Sequence, residues 1–429
     1  MVTQTKQLLV LLVLGVCMAA PAHAEPIDVQ ASGQSAIGAL VVVDGSAGEY
    51  KATVAELNWR LAFNGMLEPR DAARVPESFT RAIVSGGVVD WKLARTLDAT
   101  LVLVAQWRTV ADGLELRLRA WQQGTPAAVF DASFKGSAGR TGEIMDAAAA
   151  SFYRDVLGTA GPFGDVLYYQ KRDADSRTRE LAKVRLGTSA EQRVTMGQRI
   201  VLKPRSSTDG TRFLFIGYAN AIPEIWQLDV RTGKLERPVP DSAPAYGAVY
   251  DEDGAIYFSQ ARGRYSELVR FSGGKREVLQ SANAMNLGID LRSRKGPYVF
   301  GSDRFGNPHI FLSQGATTRR LTVDGEYNAA PRLSPDGKWV VFARRDGGRF
   351  SIWALPADQS APARQLTDDA GSDEDPAWSN DGRTIYFSSN RGKNGSADLY
   401  AVDLYTRKLN RVTSSAGDER MPDVQRRNP

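Results

Sequence analysis

The sequence predicts an α+β N-terminal domain followed by an all-β six-bladed β-propeller. Three observations predict it: one strand–turn–strand unit recurs, its copies are evenly spaced, and the C-terminus repeats the start of the last copy and then stops. The clearest copies are Pro331–Phe342, PRLSPDGKWVVF, and Pro376–Phe387, PAWSNDGRTIYF. In each, an Asp-Gly pair (Asp336-Gly337, Asp381-Gly382) marks a hairpin turn. A two-residue primed turn is expected there, since it needs positive φ and glycine adopts that without strain. Apolar and aromatic residues follow at strand spacing, Trp339, Val341 and Phe342 in one copy and Ile385, Tyr386 and Phe387 in the other.

In chain order, residues 1–24 read as an export signal. Lys6 gives a positive start, Leu8–Val16 is an apolar run too short to span a bilayer, and Ala22-His23-Ala24 is a small-x-small cleavage site. A lipoprotein signal at Cys17 is disfavoured because Val16, just before it, is not small. Cleavage would remove Cys17, the only cysteine, and with it disulfides, thiol catalysis and cysteine-bound metals. It would leave His309 as the only histidine and lower the net charge from +5 to +4, since Lys6 is the one charged residue lost. Apolar residues at 42% and charged residues at 24% are those of an ordinary globular protein. The charge is spread along the chain, so Arg426-Arg427 reads as a solvated tail and no nucleic-acid patch is expected. An exported, cysteine-free chain points to the periplasm.

Residues 25–160 read as a small α/β layer domain. Ile37–Val43 is a strand, and Val54, Leu57, Leu61 and Phe63 lie at near-helical spacing before a C-cap at Asn64-Gly65. Leu101–Trp107, Leu114–Trp121 and Val129–Phe134 are further strands, giving a sheet of three or four. Thr141 opens a helix carrying Ile144, Ala148 and Phe152, and Gly158–Pro162 is the linker.

The repeats fill residues 165–425. Their turn glycines fall at 164, 210, 254, 296, 337 and 382, so the gaps are 46, 44, 42, 41 and 45, the spacing of four-stranded propeller blades. Third strands alternate in Glu224–Asp229, Ser351–Leu355 and Asp398–Asp403, and Arg320-Leu321-Thr322 and Gln365-Leu366-Thr367 are short outer strands. Gly417–Val424 matches the lead-in to Pro376 and ends there, so the C-terminal strand is expected to complete the first blade and close the ring.

These stretches resemble the TolB family, the periplasmic component of the Tol–Pal cell-envelope system. PRLSPDGKWVVF, PAWSNDGRTIYF, RRLT and RQLT carry the likeness in the propeller. Asn64–Pro69 and the Asp90-Trp91 and Leu97–Val102 stretches carry it in the N-terminal domain. The resemblance implies a monomeric scaffold without cofactor. It binds Pal, the peptidoglycan-associated lipoprotein, at one channel mouth and TolA through the N-terminal segment, with other envelope lipoproteins or porins as further partners. It supports outer-membrane integrity, cell division and protein import. Glu25–Ser35 has few apolar anchors, and Glu25, Ile27, Asp28 and Val29 are its candidate contact residues. The resemblance implies that such a strand can pair with TolA or fold back on its own protein.

Catalysis has no support in the residues. There is no Gly-x-Ser-x-Gly elbow, no P-loop and no hydrolase domain after Pro429, and His309 falls inside a blade strand, away from any nucleophile. The acidic run Asp368–Asp375 supplies hard oxygens without the spacing of a calcium loop, so no metal is expected. Asn394-Gly395-Ser396 reads as a hairpin tip, and the strand aromatics as packing groups. Binding sites are expected in the loops entering the inner strands: Tyr246-Gly247, Gly288-Ile289, Asn328-Ala329, Glu374-Asp375 and Glu419-Arg420. The alternative is a divergent propeller of this type that binds a small ligand or glycan.

Overall fold

The run IGALVVVD, Ile37–Asp44, is apolar at successive positions because strand β1, which it forms, is covered on both faces. Ala39, Val41 and Val43 enter one core, while Leu40 and Val42 enter another. The computed structural model describes residues 36–44, 47–188, 190–195, 201–219, 221–240, 243–368, 370–392 and 396–426. The export signal, Glu25, Ile27, Asp28, Val29, Asp369 and the Asn394-Gly395 tip lie outside the described residues.

Helix α1 (Ala47–Leu61) follows, then β2 (Leu67–Arg70), α2 (Glu77–Gly86), α3 (Trp91–Thr96), β3 (Leu101–Val110), β4 (Gly113–Gln122), β5 (Phe130–Gly136) and α4 (Thr141–Val156). The sheet has five strands in the order β2-β1-β3-β4-β5, one more than the sequence pattern indicates. The extra strand is the four-residue β2, whose Pro69 is tolerated because β2 lies at the edge. β1 pairs in parallel with β2 and β3, and β3 to β5 are antiparallel. Helices α2 and α3 cover one face; Asp90 caps α3 by accepting from the Lys92 and Leu93 amides. Helices α1 and α4 cover the other face, and that core continues without interruption into Leu167, Tyr169, Val184, Leu399 and Val424 of the propeller.

Polar contacts fix the junction. Arg60 is 1% exposed and donates to Asp146 at 2.9 Å, and the other oxygen of Asp146 accepts from Arg185 of the propeller at 2.6 Å. Thr406 donates to the Asn64 carbonyl and Asn410 to that of Phe63. These carbonyls lie in the turn just beyond α1.

The propeller has six four-stranded sheets. Blade 1 comprises Asp418–Val424, Val166–Arg172, Glu180–Arg185 and Gln192–Arg193, so its inner strand is the C-terminal one. The inner strands of blades 2 to 6 are Leu202–Ser206, Ala245–Tyr250, Asn286–Leu291, Tyr327–Leu333 and Asp373–Trp378. Each inner strand packs against the next, and Asp418–Val424 packs against both Asp373–Trp378 and Leu202–Ser206, which closes the ring.

The turns differ from the two-residue primed form. In blade 5 the Gly337 amide donates to the Ser334 carbonyl, a type I turn with Pro335 at its second position, and Gly337 follows at φ +72°. Ser334 also accepts from the Trp339 amide and Asp336 from the Lys338 amide. The serine and aspartate side chains thus stand in for ladder hydrogen bonds, which is why the motif needs Ser-x-Asp-Gly. Blades 2 and 6 repeat it through Ser207 with Asp209 and Ser379 with Asp381. Gly296 of the degenerate copy keeps negative φ.

Removing one carboxylate should leave two arginines facing each other at the junction. Asp146→Ala is expected to lower stability by about 3 kcal/mol in denaturant unfolding, and a loss below about 1 kcal/mol would show that the site is not desolvated. Burial, with Asp165 nearby, pushes the Asp381 carboxyl up to about 6. A folded-state value above the unfolded one contributes stability that is complete below about pH 4 and lost as pH rises through about 6. Asp381→Asn should therefore flatten the fall in melting temperature between pH 5 and pH 8, gaining on the order of 2 kcal/mol at the upper end. An unchanged pH profile would count against this.

Candidate functional site

The six inner strands line one channel, and each is interrupted by a β-bulge at a corresponding position. Register shifts fall in the pairings that involve Leu202–Arg205, Ala245–Gly247, Leu287–Asp290, Ala329–Arg332, Glu374–Ala377 and Arg420–Asp423. Lys203, Gly288, Ala330, Asp375 and Met421 adopt positive φ there, between +49° and +66°. Four of these precede a proline: Lys203-Pro204, Ala330-Pro331, Asp375-Pro376 and Met421-Pro422. Proline has no N–H to leave unpaired where the ladder breaks, which suits it to a bulge. The left-handed conformation costs a residue with a Cβ about 1–2 kcal/mol. A bulge re-aims its side chain, and the charges of Lys203 and Asp375 act on one another at this end of the channel. The Lys203 ammonium donates to the Tyr246 carbonyl at 3.2 Å, and its backbone amide approaches the Met421 sulfur. Burial pushes the Lys203 ammonium down, against the pull of Asp375, and pushes the Glu374 and Asp375 carboxyls up.

The residues expected in the entry loops lie within the strands. The inner strands begin earlier than the turn pattern suggests, and the bulge, not a loop, delivers the side chains. Tyr246, Gly288, Ala329, Glu374, Asp375 and Arg420 are at or beside the bulges and half-buried, and Gly247 beside them is buried. Ile289 is 4% exposed and belongs to the core between blades 3 and 4. Asn328 is buried, donating to the Asp324 carbonyl, with its amide near the His309 ring. Glu419 is fully buried, and its carboxylate accepts from Lys171 at 2.9 Å in a cavity between the domains. Strand alternation sends it away from the channel. That cavity, about 580 Å³, is walled by Trp59, Tyr169, Lys171, Glu191 and Arg411.

His309 sits in a third strand with Thr322 at 3.2 Å from its Nδ1, and burial holds its imidazole below the usual value. The acidic run is divided among partners: Asp368 and Asp373 both accept from Arg391, Glu374 accepts from Ser372, and Asp375 enters the channel. Among the described residues no three histidine, cysteine or acidic side chains converge as a metal site. Lys203 and Met421 escaped the sequence reading; the signal that could have found them is the residue before proline, repeated at blade spacing. Arg426, expected in a solvated tail, instead enters the far end of the channel.

The molecule is an α+β domain fused through a common core to a six-bladed propeller with polar side chains along its channel. Residues 153–362 match the TolB beta propeller domain family. The crystal structure of TolB from Acinetobacter baumannii is similar over 92% of this chain and 97% of that one, with a TM-score of 0.75 at 16% identity. Other solved structures match only part of the chain. A chain of the nidogen/laminin complex matches 61% of this one and 98% of its own length (TM-score 0.50, 13% identity). Hydrazine synthase of Kuenenia stuttgartiensis matches 62% of this chain and 47% of that one (TM-score 0.51, 15% identity). At these identities the likenesses show the fold, and the first shows it for both domains together. No helix among the described residues is long and apolar enough to cross a membrane.

Replacing Ala330 by glycine removes the Cβ from a left-handed position before a proline. Ala330→Gly should raise stability by up to about 1 kcal/mol, the reverse of the usual effect of glycine in a strand. Equilibrium unfolding tests this, and a destabilised variant would mean that the bulge is not strained.

Proposed function

We propose that the chain, after removal of residues 1–24, is a non-enzymatic periplasmic scaffold of the Tol–Pal system. In this reading the bulge end of the channel receives Pal, and the segment holding Glu25, Ile27, Asp28 and Val29 engages TolA. The scaffold thereby links the outer membrane to the inner-membrane Tol proteins during constriction at division. The observation that carries the reading is the ring of bulges. Six interrupted strands present lysine, carboxylate, thioether and backbone groups around one opening, a polar and partly wet surface suited to a folded protein partner. The backbone strain is concentrated at that opening, where strain is commonly retained for binding.

Asp375 and Arg420 are the residues to change, since Glu419 is fixed in the protein interior. Titration calorimetry of residues 25–429 with Pal should give saturable binding. Asp375→Lys and Arg420→Glu should each weaken it at least tenfold without lowering the melting temperature. Binding that survives both changes would move the docking face elsewhere, and no binding by the unaltered protein would remove Pal as the partner.

A further inference from the structure

At the opposite end of the channel, where the inner strands finish, lies a cavity of about 390 Å³ bounded by Thr208, Arg292, Arg332, Trp378, Asn380 and Arg426. Four guanidinium groups, from Arg205, Arg292, Arg332 and Arg426, converge on it or on its floor, against the carboxylates of Asp290 and Asp423, with Asp336 near Arg292 at its edge. Both carboxylates are already committed. Asp290 is fully buried, pairs with Arg205 and accepts from the Leu333 amide at 2.7 Å. Asp423 pairs with Arg332 at 3.2 Å and accepts from the Ser206 amide at 2.8 Å.

The arginines are unevenly served. Arg205 and Arg332 hold carboxylates, and Arg292 donates to the Leu333 and Ser334 carbonyls while staying 3.8 Å from Asp290. The Arg426 side chain makes no hydrogen bond or ion pair with any described residue, although its backbone amide is tied to Ser206. Burial, and then Arg292 beside it, holds the Arg426 guanidinium down to about 10. Guanidinium charge in excess of carboxylate charge, with Arg426 unpaired among the described residues, stands in a partly desolvated cavity, where the attraction for an anion is far stronger than in water. A guanidinium fork matches carboxylate and phosphate oxygens two at a time.

We propose that this cavity is a binding site for a small oxyanion carrying two negative charges, of phosphate or dicarboxylate class, held by Arg426 with Arg292 and Arg332 and walled by the Trp378 indole. The site is separate from the bulge end and does not depend on the docking of a protein there.

The test is calorimetric titration of the full chain with inorganic phosphate, and separately with succinate, at constant ionic strength. Arg426→Gln, Arg426→Lys and the surface control Arg264→Gln are titrated alongside. Saturable one-to-one binding is expected in the unaltered protein and in the control, weakened at least tenfold by Arg426→Gln and less by Arg426→Lys. Phosphate binding alone assigns the tetrahedral class, and succinate binding alone assigns the dicarboxylate. In anion-free buffer Arg426→Gln should melt at or above the temperature of the unaltered protein, because it removes an unpaired charge. Absence of saturable binding by both anions, equal affinity in Arg426→Gln, or a lower melting temperature for that variant would each overturn the proposal.

Discussion

The fold depends on one strand pairing. Asp418–Val424 lies beside Val166–Arg172 in antiparallel register, with Val424 opposite Leu167 and Asp418 opposite Arg172. Without it blade 1 would lack its inner strand, Val166–Arg172 would present an unpaired edge, and the ring would stay open. The same seven residues serve three places. Glu419 points into the cavity between the domains, Met421 forms a bulge of the channel, and Asp423 ties two neighbouring blades.

Charge within the channel is arranged by depth. At the bulge end, single opposite charges such as Lys203 and Asp375 act on one another and keep contact with water. Deeper, Asp290 and Asp423 do backbone work, accepting amides from the next blade, and their charge only partly offsets the arginines around them. Such carboxylates hold register between blades that share no ladder hydrogen bonds. A buried acid that accepts a backbone amide and an arginine at once fixes both in place.

The repeat, the six blades and the closing strand were legible in the sequence because each blade restates the same turn chemistry. Ser334-Pro335-Asp336-Gly337 can be recognised without knowing what lies across from it. The form of the turn was misread, since Asp-Gly suggests a two-residue hairpin and only the serine three positions before the glycine reveals the longer type I loop. Strand β2 left no trace in the residue pattern, because four residues with a proline carry no periodicity; only the family resemblance of Asn64–Pro69 pointed to a strand there. The site was harder to see for the same reason in reverse. Glu419 and Glu374 are both acids near the start of an inner strand, yet alternation and a bulge send one into the interior and the other towards the channel. Sequence does not show which partner takes up a charge, so the ties of Lys171 to Glu419 and Arg391 to Asp373 emerge only in three dimensions.

The position of the closing strand also governs the order in which the molecule can be made. Lys171 and Glu419, neighbours in the finished ring, are 248 residues apart along the chain. Contacts so distant in sequence form late, because the intervening loop must be closed first. A chain emerging from its N-terminus would complete blades 2 to 6 while Val166–Arg172 still offered a bare hydrogen-bonding edge. Until the last strand arrived, that edge would be open to any extended segment, its own or another chain's.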